Sequence, residues 1–109
     1  MQIIGETVTV TVDRPLGSHH PRYPDLRYPV NYGYIEGVPG GDGEWQDAYL
    51  LGLDRPVHSF TGTVTAILRL DDAEDKWIVV PDGCLLSDAQ ILDAVHFQER
   101  YFHSILIRK

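Results

Sequence analysis

Three carboxylates, Asp42, Glu44 and Asp47, follow a glycine-rich turn in the stretch GGDGEWQDA, residues 40–48, of a chain that already carries a formal net charge of −7. Like charges this close repel unless a cation sits among them or one of them is protonated. The stretch is therefore either a solvated acidic turn or half of a metal site. A second cluster, Asp71, Asp72, Glu74 and Asp75, precedes Lys76 directly. If both turns lie at one end of the fold, their carboxylates converge. Mg²⁺ or Mn²⁺ suits such a place, because both are hard ions that take oxygen ligands and Mg²⁺ keeps several waters. The Asp-x-Asp-x-Asp-Gly order of an EF-hand calcium loop is absent.

The remaining chemistry-bearing residues argue for less. Cys84 is the only cysteine, which excludes an internal disulfide and a thiolate zinc cluster and leaves a plain buried or semi-exposed thiol. His19 and His20 are adjacent and point apart in an extended chain, and His96 and His103 have no histidine or acid at i+4 to pair with. All five histidines read as surface or packing residues. With 16 Asp and Glu against 9 Lys and Arg, the chain does not offer the positive charge that a nucleic-acid backbone rewards. No apolar run is long enough to span a membrane, and MQIIGETVTV lacks the basic start and apolar stretch of a signal peptide, so a cytoplasmic protein is expected.

At 109 residues and 43% hydrophobic content the sequence suits a single domain, 1–109, with one core. TVTVTV, residues 7–12, alternates strictly and predicts a strand with Val8, Val10 and Val12 on one face. A proline- and glycine-rich loop follows, then an extended piece at 32–35, a strand at 48–53 and a strand at 61–70 with Val64, Ala66, Leu68 and Leu70 in phase. A fourth strand, KWIVVP, ends at Pro81. Ser87 with Gln90 makes a capping-box signature for a helix over 88–103, with Ile91, Val95 and Phe102 on its apolar stripe and Leu92 and Ala94 widening it. SILIRK could add a short last strand. The expected architecture is mainly β: a small five-stranded, OB-like barrel with one C-terminal α-helix packed against it.

In order and spacing these segments resemble the soluble family I inorganic pyrophosphatases. YPVNYGYIEG followed by GGDGEWQDA is similar to that family's tyrosine-rich strand and its Asp-Gly-Asp-Pro-x-Asp signature. VDRPLGSHHPRY is similar to the segment that carries an acid and, nine residues on, a phosphate-binding lysine. LDDAEDKWIVVP matches the stretch with two metal-binding aspartates and a lysine, and HFQERY the family's His-Phe-x-x-x-Tyr. The resemblance implies Mg²⁺-dependent hydrolysis of pyrophosphate by a metal-activated water. It places Asp42, Asp47, Asp72, Asp75 and Asp13 on the metals, with Glu74 an alternative to Asp75. Glu44 and Asp47 would act in catalysis, Glu44 as the base that orients the water, and Arg22, Lys76, Tyr32 and Tyr101 would hold phosphate.

The chain departs from the family where Glu44 replaces an aspartate, Trp45 a proline and Phe102 a lysine. A hairpin with its phosphate-binding arginine is missing between Tyr23 and Tyr28, where Arg27 is the nearby substitute. These departures keep two other readings open: hydrolysis of another small phosphorylated compound, with an organic group beside Trp45 and Phe102, or a catalytically weak homologue that binds metal and phosphate. A homo-oligomer is compatible with the apolar stripe.

Overall fold

A computed structural model describes residues 2–41, 43–70 and 74–109. Its strands are β1 (Thr7–Arg14), β2 (Asn31–Pro39), β3 (Trp45–Leu50), β4 (Ser59–Leu70) and β5 (Asp75–Val80), followed by helix α1 (Asp88–Glu99) and strand β6 (Ser104–Ile107). The sheet order is β1-β2-β3-β5-β4-β6, and β1 also pairs with β4. That extra pairing closes β1 to β5 into a barrel. All neighbours are antiparallel except β3 and β5, which run parallel. The result is the expected barrel with one helix near the C-terminus. Among the described residues no helix is long and apolar enough to cross a membrane.

The barrel is filled by Val10, Ile35, Ala48, Leu50, Val64, Ile67, Trp77 and Val79, and Val8 and Val12 pack against this cluster as their alternation requires. A second cluster lies between the opposite sheet face and the helix, where Tyr28, Tyr32, Tyr49, Leu68 and Ile78 meet Ile91 and Val95. The four apolar residues of β4 do not stay in phase. A register shift between Val64 and Ala66 sends Val64 into the barrel while Ala66, Leu68 and Leu70 face the helix. One inserted residue inverts the facing of everything beyond it, so strict alternation fails at a bulge. Gly33 lets β1 and β2 close on one another, since a Cβ there would stand 1.9 Å from the Thr11 carbonyl oxygen.

The capping box forms as expected: Ser87 Oγ accepts from Gln90 N at 3.1 Å, and Gln90 Oε1 accepts from Ser87 N at 2.8 Å. The helix stops at Glu99 rather than at residue 103, with Tyr101 and Phe102 in the turn that leads to β6. Leu92, expected on the apolar stripe, is exposed. The buried positions of the helix are Ile91, Val95 and Glu99, at i, i+4 and i+8.

Candidate functional site

A cleft of about 770 Å³ opens where the helix-facing side of the sheet meets the turn after α1. Asp47 reaches it from β3, Tyr32 from β2 and Lys76 from β5, with Glu74 just ahead of Lys76 and Tyr101 and Phe102 on the turn. The alternation of β-structure explains the set. Tyr32 pairs with Tyr49, so the Tyr32 and Asp47 side chains share a face, and Glu74 and Lys76 flank Asp75 on that same face. The Tyr32 hydroxyl bonds the Asp47 carboxylate. Burial, and then the Asp47 charge, raises the Tyr32 phenol far above its usual range, so it remains a protonated donor.

Of the residues singled out in the sequence, the cleft brings together Asp47, Lys76, Tyr32 and Tyr101. Asp75 is engaged on the other face: its two carboxylate oxygens accept from Arg69 Nε and Nη2 at 3.1 and 3.2 Å. It shares a small hollow beside the cleft with Asp47, Glu74 and Trp45. Between the two acids left as alternatives, Glu74 is the one that faces both the cleft and the hollow. Glu44 is exposed ahead of β3 and Arg22 is exposed on the 15–30 loop, and neither lines the cleft. Arg27 does not line it either. Asp42 and Asp72 lie outside the described residues. Among the described residues no three His, Cys, Asp or Glu side chains gather closely enough to hold a metal ion.

Asp13 is exposed on β1, and its neighbour Arg14 occupies the cleft instead. The register explains the exchange. Thr11 pairs with Tyr34, so an unbroken ladder would set Asp13 opposite Tyr32, but a shift between Val12 and Arg14 puts Arg14 there. No alternation rule flags that bulge in the sequence.

His20, read as a surface or packing residue, also lines the cleft. Its Nδ1 accepts from the backbone N–H groups of Arg22 at 3.0 Å and Tyr23 at 3.3 Å. Desolvation, and after it the charges of Arg14 and Arg22, holds the imidazole below its usual pKa. A neutral ring with its proton on Nε2 follows from both facts. Glu99 is the third residue that the sequence reading passed over. Its Oε2 accepts from Lys76 Nζ at 2.7 Å and from the Tyr49 hydroxyl at 2.5 Å, and both charged side chains are more than nine-tenths buried. An acid placed on the Ile91, Val95 stripe was the available signal.

A shallower depression of about 610 Å³ lies between the start of β1, the middle of β4, the turn after β5 and the chain's last residues. Two of its polar groups are engaged within the chain: Asp82 accepts from Thr63, and Arg108 pairs with Asp88 at 3.2 Å. The chemistry therefore concentrates in the helix-side cleft.

The architecture that carries this cleft is the fold of the inorganic pyrophosphatases. The Neisseria gonorrhoeae inorganic pyrophosphatase matches with a TM-score of 0.69 at 22% identity, over 89% of this chain and 74% of that one. The Ehrlichia chaffeensis inorganic pyrophosphatase matches with a TM-score of 0.73 at 15% identity, over 98% and 88%. The Thermus thermophilus enzyme gives 0.62 at 18%, over 94% and 80%. The sequence matches no family model and no curated protein.

Proposed function

We propose that this protein is a short soluble family I pyrophosphatase that hydrolyses inorganic pyrophosphate to two phosphates with the help of Mg²⁺. The observation that carries the reading is the convergence of Asp47, Glu74, Lys76, Tyr32 and Tyr101 on one cleft within a fold shared with inorganic pyrophosphatases. Lys76 supplies a positive charge and Tyr101 a hydroxyl to phosphoryl oxygens. Tyr32, locked as a donor, holds the Asp47 carboxylate in place, and Asp47 then accepts a proton from water in the cleft. Glu44, which the resemblance places as the base, stands exposed ahead of β3.

The donor chemistry fits the ion. Asp47 and Glu74 offer hard oxygen donors to one hollow beside Asp75, the chemistry Mg²⁺ prefers, and the resemblance adds Asp42 and Asp72 as ligands. Bound there, Mg²⁺ would lower the pKa of a water and neutralise phosphate charge. Phosphate release from pyrophosphate with Mg²⁺, with Mn²⁺ and with EDTA tests this. Release should require metal and fall at least about a hundredfold in Asp47→Asn, the scale of losing a main electrostatic group. Equal release by wild type and Asp47→Asn, or release that survives EDTA, overturns it.

A second reading has its own support. Tyr23, Tyr101 and Phe102 are all exposed at the cleft mouth, and a volume near 770 Å³ falls in the ~300–1,000 Å³ range of sites for organic ligands. Substrates in which an organic group carries the phosphate would then outcompete pyrophosphate. Assaying a panel of phosphorylated compounds beside pyrophosphate separates the two.

A further inference from the structure

Beneath the cleft a single file of hydrogen bonds joins its two cations. Arg14 Nη1 donates to the Tyr28 hydroxyl at 3.4 Å, Tyr28 donates to Gln98 Oε1 at 2.7 Å, and Gln98 Nε2 donates to the Tyr49 hydroxyl at 2.7 Å. Tyr49 donates to Glu99 Oε2, where Lys76 arrives from the other side. Every donor in the file points towards Glu99. The reason is that a carboxylate paired with lysine can only accept. Tyr49 must give Glu99 its proton, so its oxygen accepts from the amide of Gln98. The Gln98 carbonyl is thereby turned to Tyr28, whose hydroxyl proton it takes. What remains on Tyr28 is a lone pair, and it faces Arg14. Tyr28 and Tyr49 are fully buried, while Gln98 between them is partly buried and lines the cleft.

We propose that Arg14 and Lys76 together form a two-cation grip for phosphate, and that Glu99 acts through Gln98 and the two tyrosines as the positioning residue for both. Arg14 uses one donor on a neutral phenol and keeps the others for an anion in the cleft. It provides the guanidinium that neither Arg22 nor Arg27 brings there. The proposal rests on the phosphate-compound reading above, and the experiment keeps the two apart.

Inorganic phosphate binding, followed by calorimetry in the presence of Mg²⁺, is compared for wild type, Arg14→Gln, Tyr28→Phe and the double variant, with Arg55→Gln as an exposed-arginine control. Phosphate release from pyrophosphate is measured beside it. Glu99→Gln strips Lys76 of a buried counter-charge, so Tyr28→Phe, which removes one hydroxyl and keeps the ring, carries the test. Arg14→Gln should weaken phosphate about tenfold or more and Tyr28→Phe about threefold, the scale of a charge-assisted bond and of its alignment. In the Arg14→Gln background, Tyr28→Phe should then have no further effect. Wild-type affinity in Arg14→Gln, no phosphate binding by wild type, or an equal Tyr28→Phe loss in both backgrounds overturns the grip. Arg14-dependent binding without release from pyrophosphate supports the grip and removes the hydrolase reading. Metal-dependent release with Arg14→Gln affinity unchanged does the reverse.

Discussion

His20 is the residue whose surroundings make the sharpest solution statement. Two backbone N–H groups donate to its Nδ1, and desolvation with the charges of Arg14 and Arg22 opposes a second proton on the ring. Its folded pKa lies below the usual 6.5, so unfolding takes up a proton at mildly acid pH. Whatever stability His20 contributes is present above about pH 6.5 and is lost as pH falls through the folded pKa. An NMR titration of the imidazole should give a midpoint below 6.5 that moves up in Arg14→Gln; an unchanged midpoint would show that Arg14 does not face the ring. The tyrosines behave oppositely. Tyr28, Tyr32 and Tyr49 are raised above the usual phenol range, chiefly by burial, so the file beneath the cleft keeps its protons throughout the working pH range.

At the scale of elements, α1 does two jobs: it covers the sheet with Ile91 and Val95, and it delivers Glu99 to Lys76. Ser87→Ala removes the cap and should cost about 1 kcal/mol by denaturant titration. Lys76→Met should cost more, about 3–5 kcal/mol, because it leaves Glu99 buried with no counter-charge; a loss no larger than that of Ser87→Ala would mean that water or another cation already serves Glu99. The two elements also show what could be read in advance. The capping box and the β1 alternation were legible because each depends on neighbours in sequence. The end of α1 was not, since Gln98 and Glu99 are held by Tyr28, by Tyr49 on β3 and by Lys76 on β5, and no local pattern announces them. The bulges near Val64 and Arg14 were equally silent. Yet they decide which residues of β4 fill the barrel and why Arg14 rather than Asp13 enters the cleft. The two acidic turns stand out in the sequence by charge alone, but only the parity of β5 distinguishes Glu74 from Asp75.

For the whole molecule, the barrel is closed by residues far apart in the chain, β1 meeting β4 at pairs such as Val8 with Gly62. Long-range pairings of this kind form slowly, because loop closure must precede the contacts that reward it. On its other side Gly62 leaves no room for added bulk against β5, since a Cβ there would lie 2.3 Å from the Val80 carbonyl oxygen. Gly62→Ala should therefore lower the melting temperature by several degrees, on the scale of ~1–3 kcal/mol of overpacking. An unchanged melting temperature would mean that β4 and β5 shift apart at no cost.

β4 changes partner midway: its first half is held by β1, and the Ile67–Leu70 half by β6. That second half would otherwise present a row of bare amides and carbonyls flanked by apolar side chains, which is the surface on which sheets of separate molecules join. Strand β6 is four residues long, too short to recruit much of a partner itself. Its place in the fold is thus that of a guard against self-association, and a chain ended after His103 should keep its cleft residues and still gather into aggregates.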